Sequence, residues 1–191
     1  PYPLSRTLAY MGRKIEKGSR DSMGRLMGKN ILMVIPSDFY DEEQFEPLAE
    51  IFQAEDAHLV TASGKTKESI GMKKGRLRPD VLIVDSMEGI VGDSYVTTGG
   101  HGSRQIKGIY HGVVLIGGKG ARKYLWDDKV LHTLLSDRHR SGFVLAAIGT
   151  AVPTLGTAGL LEGKSATVEI DKFTEKVMEE SNALLEETDV V

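Results

Sequence analysis

Apolar residues along the chain gather into short unbroken runs separated by amphipathic stretches. Ile31–Ile35, Val113–Ile116 and Phe143–Ile148 are unbroken, the last too short to span a membrane as a helix and too continuous for a strand with one wet face, and His58–Ala62 reads as a further strand. Such runs predict parallel strands covered on both sides. Between them lie helical periods. Asp41–Gln53 places Phe45, Leu48, Ile51 and Phe52 on one stripe behind an acidic first turn, and Asp127–Arg138 does the same with Val130, Leu131, Leu134 and Leu135. Strand alternating with helix predicts a three-layer α/β/α sandwich with a mostly parallel sheet over residues 31–168. The longest run, Phe143–Ile148, is placed at the centre of that sheet. It stops at Gly149-Thr150, a strand-to-helix turn at the carboxyl edge, where open α/β sheets keep their ligand sites.

The remaining pattern is less regular. Residues 64–78 are polar and rich in Gly and Lys, a surface excursion. Val81–Val84 and Tyr95–Thr98 are shorter strand candidates, and Gly99-Gly100-His101-Gly102 is a turn. Beyond Gly149 the pattern gives a helix through Leu155, a strand Ser165–Val168 and a helix Lys172–Glu187, and a further strand begins to open at residues 189–191. Near the start, Ser5 caps a helix to Ile15 with Leu8 and Met11 on its apolar face, and Gly18, Gly24 and Gly28 break up the segment between that helix and the first strand.

Composition narrows the classes. The 191 residues, 40% apolar and 27% charged, suit one domain of ordinary globular character. With Cys at zero there is no disulfide, no thiolate nucleophile and no Cys-based metal site. No window approaches 18 consecutive apolar residues, so no transmembrane helix is expected, and the expected location is cytoplasmic. The net charge of -3 is unevenly distributed. Residues 1–30 carry seven Lys or Arg against Glu16 and Asp21, a +5 arm that leaves the rest at -8. Such an arm suits subunit packing or a solvated surface. It matches no recognition motif, so nucleic-acid binding ranks last.

Candidate chemistry converges on the sheet edge. Gly117-Gly118-Lys119-Gly120 lacks the spacing of a phosphate loop. Its glycines either allow a tight turn or present the N–H groups of Gly117 and Gly118 as an anion or oxyanion pocket. Asp41, Glu42 and Glu43 open a helix at the same edge, with Glu43 the candidate proton carrier or hydrogen-bond partner. Thr150 caps the helix after the turn or, given an aligned base, attacks. The five histidines show no metal-ligand spacing, and only His101, in its glycine loop, remains an outside candidate. No cofactor and no metal is implied.

Three stretches in this order resemble the DJ-1/PfpI (ThiJ) family of the class I glutamine-amidotransferase-like superfamily. They are F-Y-D-E-E-Q-F-E-P at residues 39–47, Y-H-G-V-V-L-I-G-G at 110–118, and A-A-I-G-T-A-V-P-T-L-G-T-A-G-L-L-E-G-K-S-A-T at 146–167. The resemblance implies a flavodoxin-like sandwich over residues 30–191 without the family's last strand and helix, preceded by a basic extension over 1–29. It also implies that Glu43 stands for the glutamate bonded to the family's reactive cysteine, and Gly118 for the residue whose N–H faces it. Gly149 then occupies the cysteine position and Thr150 that of the histidine that often comes next. With both side chains replaced, the leading expectation is a non-catalytic structural or regulatory component of a homodimer or larger homo-oligomer. The alternatives are a cysteine-independent hydrolase or lyase using Glu43 as base on a small-molecule substrate, and a nucleic-acid binder working through the arm.

Overall fold

A computed structural model describes residues 24–97 and 103–188. The expected helix over 5–15, His101 with its glycine turn, and the strand opening at 189–191 lie outside the described residues.

The amphipathic alternation becomes a βαβ framework. β1 (Asn30–Val34), buried from Ile31 onward, leads through α1 (Glu42–Ala54) to β2 (His58–Ser63). Asp41 caps α1, its carboxylate accepting from the Glu43 N–H at 3.0 Å. A small antiparallel pair, β3 (Ser69–Ile70) and β4 (Arg76–Leu77), forms the polar excursion before β5 (Val81–Leu82). The run expected to be strand through Val84 instead turns into α2 (Ile83–Ser86). An antiparallel hairpin of β6 (Ile90–Thr97) and β7 (Ser103–Gly108) then precedes β8 (Gly112–Leu115), so the strand expected only at Tyr95 begins five residues earlier.

After β8 come α3 (Ala121–Tyr124), α4 (Lys129–Arg140) capped by Asp128, and β9 (Val144–Ala147). The chain turns through a short 3-10 segment, Gly149–Ala151, into α5 (Val152–Thr157). It then forms β10 (Ser165–Ala166), α6 (Lys172–Glu180) and β11 (Leu184–Leu185), with β10 and β11 paired parallel. The helix expected to run to Glu187 stops at Glu180 because Asn182 turns left-handed at φ 52° and Leu184 pairs with Ser165.

The main sheet is entirely parallel, in the order β5-β2-β1-β8-β9. This is the expected three-layer sandwich with one correction. Phe143–Ile148 supplies an edge strand, and β1 is the central one. Its apolar character has a cause that does not depend on lateral position. Leu145 and Ala147 pack with Leu134 and Leu135 on one side of the sheet, while Ala146 and Ile148 face the cluster of Met33, Ile35 and Phe45 on the other. Both faces are covered from Leu145 onward, and among the described residues no strand pairs with its outer edge. Residues 24–29 are tied to the turn between α1 and β2. Gly24 donates its N–H to the Asp56 carboxylate at 2.9 Å and Leu26 to the Glu55 carbonyl at 3.0 Å. Among the described residues no helix is long and apolar enough to cross a membrane.

Candidate functional site at the strand-to-helix turn

Parallel strands β1, β8 and β9 deliver their carboxyl ends side by side, so the turns after Val34, Leu115 and Ala147 meet. The middle turn fits only because Gly118 lacks a side chain. Its φ is +119°, and an added Cβ would overlap the Phe39 carbonyl of the β1–α1 turn. Across the same contact Asp41 donates its N–H to the Gly117 carbonyl at 3.0 Å. The glycines of 117–120 thus serve close backbone approach.

At the elbow Gly149 sits at φ +53°, in the left-handed region. A Cβ placed on it would lie 2.8 Å from Gln44 Nε2. Gln44, and not Glu43, is the α1 residue that reaches the turn, and its Oε1 accepts the Gly117 N–H at 2.9 Å. The expectation that Glu43 bonds near the elbow is therefore corrected. Glu43 is 72% exposed and ion-paired with Lys73. A helix advances about 100° per residue, so one step in register moves a side chain from solvent to the turn. The signal lay in the stripe itself: Gln44 lies one turn before inward-facing Leu48, whereas Glu43 shares its face with exposed Pro47 and Glu50.

Thr150 points back across the elbow. Its Oγ1 accepts the Gly118 N–H at 2.9 Å and donates to the Gly118 carbonyl, also at 2.9 Å, while Trp126 Nε1 donates to the Thr150 carbonyl at 2.7 Å. The two N–H groups expected to form an anion pocket, Gly117 and Gly118, are thereby both held by the chain's own side chains. Thr150 has its hydroxyl engaged with backbone, and among the described residues no carboxylate or imidazole is hydrogen-bonded to it as base, while Gly149 offers no nucleophile.

The acid that sequence reasoning passed over is Glu42. It is 5% exposed, with its carboxylate accepting N–H groups from Lys73 at 2.9 and 3.1 Å and from Gly75 at 3.0 Å. Glu42 thus pins the β3–β4 turn to α1. The histidines with described partners are structural: Nδ1 of His111 accepts the Asn30 N–H, and His132 Nε2 lies 2.7 Å from the Trp126 carbonyl. No group of three or more His, Asp or Glu placed to hold a metal occurs among the described residues.

A glycine elbow beside a glycine-lined second turn, on a parallel flavodoxin-like sheet, is the architecture the sequence resemblance implies. The model of the DJ-1/PfpI family matches residues 29–191. The chain belongs to this family. An uncharacterised protein of Methanocaldococcus jannaschii is 28% identical over 186 residues, covering 97% of this chain and 81% of that protein. Among solved structures, a ThiJ/PfpI domain protein of Brachyspira murdochii superposes with a TM-score of 0.68 at 24% identity, over 86% of this chain and 83% of its own. Drosophila melanogaster DJ-1beta superposes with a TM-score of 0.60 at 19% identity, over 85% and 76% of the two chains. These likenesses establish the fold. Within the DJ-1/PfpI family this chain is a divergent member, with Gly149 at the elbow position and Thr150 after it.

Proposed function

We propose that this DJ-1/PfpI protein acts as a non-catalytic structural or regulatory component of a homo-oligomer in the cytoplasm, with residues 1–29 as an extension to the domain of 30–191. The observation that carries this reading is the double closure of the elbow. Gln44 occupies the Gly117 N–H and Thr150 occupies the Gly118 N–H, so a substrate carbonyl has neither donor available, and at the elbow position itself Gly149 has no side chain to attack it. An oxyanion hole works through donors aimed at the position where charge develops. Here they are aimed at permanent partners.

The test is turnover of small aldehydes, amides and esters by wild type, Gln44→Ala and Thr150→Val, with folding monitored in parallel. Rates at the buffer background for all three are the expected result. Wild-type turnover that falls at least tenfold in either folded variant, or a stable adduct on Thr150, would overturn it. A base role for Glu43 finds no support in its position, since its carboxylate faces solvent beside Lys73.

A further inference from the structure

The β3–β4 ribbon is a basic island on an acidic domain. Residues 64–78 carry six Lys or Arg against Glu68 alone, a net +5, whereas residues 31–191 as a whole stand at -8 and the rest of that span therefore at -13. Like charges gathered in so short a stretch repel one another unless something offsets them. Some are offset within the fold. Lys65 bonds the two Asp38 carboxylate oxygens at 2.8 and 2.7 Å, Lys73 pairs with Glu43, and Arg76 donates to Glu68 at 3.3 Å. Lys67, Lys74 and Arg78 make no ion pair among the described residues.

The register of the ribbon decides where these groups stand. Ser69 pairs with Leu77 and both turn inward, Ser69 fully buried and Leu77 against the cluster of Met33, Ile35 and Phe45. Ile70 pairs with Arg76, and both are exposed on the outer face. Side chains alternate along a strand, so Glu68 and Arg78, one step beyond each strand, return to that face. Together with Thr66 and Lys67 these four line a concavity of about 480 Å³. Its backbone is tied down. The Ile70 N–H reaches the Asp38 carboxylate at 3.3 Å, the Ile70 carbonyl accepts the Phe39 N–H, and Glu42 holds the turn through Lys73 and Gly75.

We propose that this concavity binds a small phosphate monoester, with Lys67, Arg76 and Arg78 on the phosphate and the organic body against Ile70. A guanidinium fork matches phosphate oxygens with parallel N–H···O bonds, and Arg76 spends only one of its donors on Glu68. A phosphate monoester carries close to two negative charges at neutral pH, which answers the two cations of the concavity that have no acidic partner. The volume is that of a small-molecule site. A nucleic-acid strand fits less well, because residues 64–78 contain no aromatic side chain on which a base could stack. None of the lining residues belongs to the closed elbow, so the site stands apart from the reading above.

Titration calorimetry of the full chain at low salt tests it, with phenyl phosphate, inorganic phosphate and benzoate as probes. Saturable one-to-one binding of phenyl phosphate is expected, tighter than inorganic phosphate because only the ester reaches Ile70. Benzoate, with the same ring and a single charge, should bind at least tenfold more weakly, and equal affinity overturns the phosphate assignment. Arg76→Gln and Arg78→Gln should each lose at least tenfold with an unchanged circular dichroism spectrum, since both side chains are exposed. Arg78→Lys keeps the charge without the fork and should still lose several-fold. Lys74→Gln removes an equally unpaired charge from the ribbon's turn, outside the concavity, and should change affinity less than twofold. If Lys74→Gln is as damaging as Arg78→Gln and Arg78→Lys is harmless, a diffuse basic surface replaces the site. A single-stranded oligonucleotide that binds more tightly and displaces phenyl phosphate overturns the small ligand in favour of nucleic acid. Absence of saturable phenyl phosphate binding at millimolar concentration overturns the proposal outright.

Discussion

The hydroxyl oxygen of Thr150 lies 2.9 Å from both the amide nitrogen and the carbonyl oxygen of Gly118, closing the elbow on the neighbouring turn with one side chain. Removing that hydroxyl leaves two backbone groups in a partly buried site without their partner, at about 1–3 kcal/mol. Thr150→Val is therefore expected to lower stability by that amount in urea titrations, while Thr150→Ser, which keeps the oxygen, stays near wild type. A Thr150→Val variant as stable as wild type would show that the hydroxyl's two contacts contribute nothing net.

Gln44 and Gly149 are predicted to be coupled. Gly149→Ala forces an L side chain into the left-handed region, at about 1–2 kcal/mol, and pushes a Cβ to 2.8 Å from Gln44 Nε2. Gln44→Ala relieves that contact but frees the Gly117 N–H. A double-mutant cycle should show the pair less destabilised than the sum of the singles, since residues in contact are not additive. A coupling energy of zero would mean that Gln44 does not lie over the elbow.

The adjacent acids of α1 should behave oppositely. Glu42→Gln replaces a buried acceptor of three backbone contacts, so a loss of about 1–3 kcal/mol is expected. Faster amide exchange at Lys73 and Gly75 should accompany it. Glu43→Gln removes only an exposed pair with Lys73 and should leave the melting temperature unchanged. The pattern inverts if Glu43, and not Glu42, is the structural acid.

Tyr110 introduces an alkaline limit. Burial pushes its phenol up to about 12, opposed by its bond to Ser86 and reinforced by the negative charge of Asp80. In the unfolded chain the same group loses its proton near 10. The unfolded state thus binds fewer protons between those values, and stability falls as pH rises. The contribution is complete below about pH 10 and is lost as pH passes through about 12. Tyr110→Phe should flatten the stability profile across that window, read by urea titration at each pH.

Features that depend on local pattern were legible in the sequence. The apolar runs became β1, β2 and β8 almost residue for residue, and Asp41 and the Asp127–Asp128 pair marked the starts of α1 and α4. Lateral order was not legible, because Leu145 through Ile148 meet apolar partners above and below wherever the strand lies in the sheet. The role of Gln44 was masked by the carboxylate beside it. Chemistry drew attention to Glu43, whereas helix phase decided which residue faces the turn. The end of α6 escaped because its apolar positions continue past Glu180, and Asn182 breaks the helix without a Gly or Pro to announce it.

The open flank of β9 has a consequence during folding. Among the described residues β9 pairs with β8 alone, so the amides of Leu145 and Ala147 point away from it along a stretch, Phe143 to Thr150, that contains no charge. Charged or kinked edges are the usual guard against strand-to-strand templating between molecules, and this edge has neither. While the chain is refolding, β8 of the same molecule competes for β9 with the identical strand of a neighbour. The first partner is fixed in number and the second grows with concentration. Dilution therefore protects the native sheet, and crowding of unfolded chains diverts them into intermolecular β-structure.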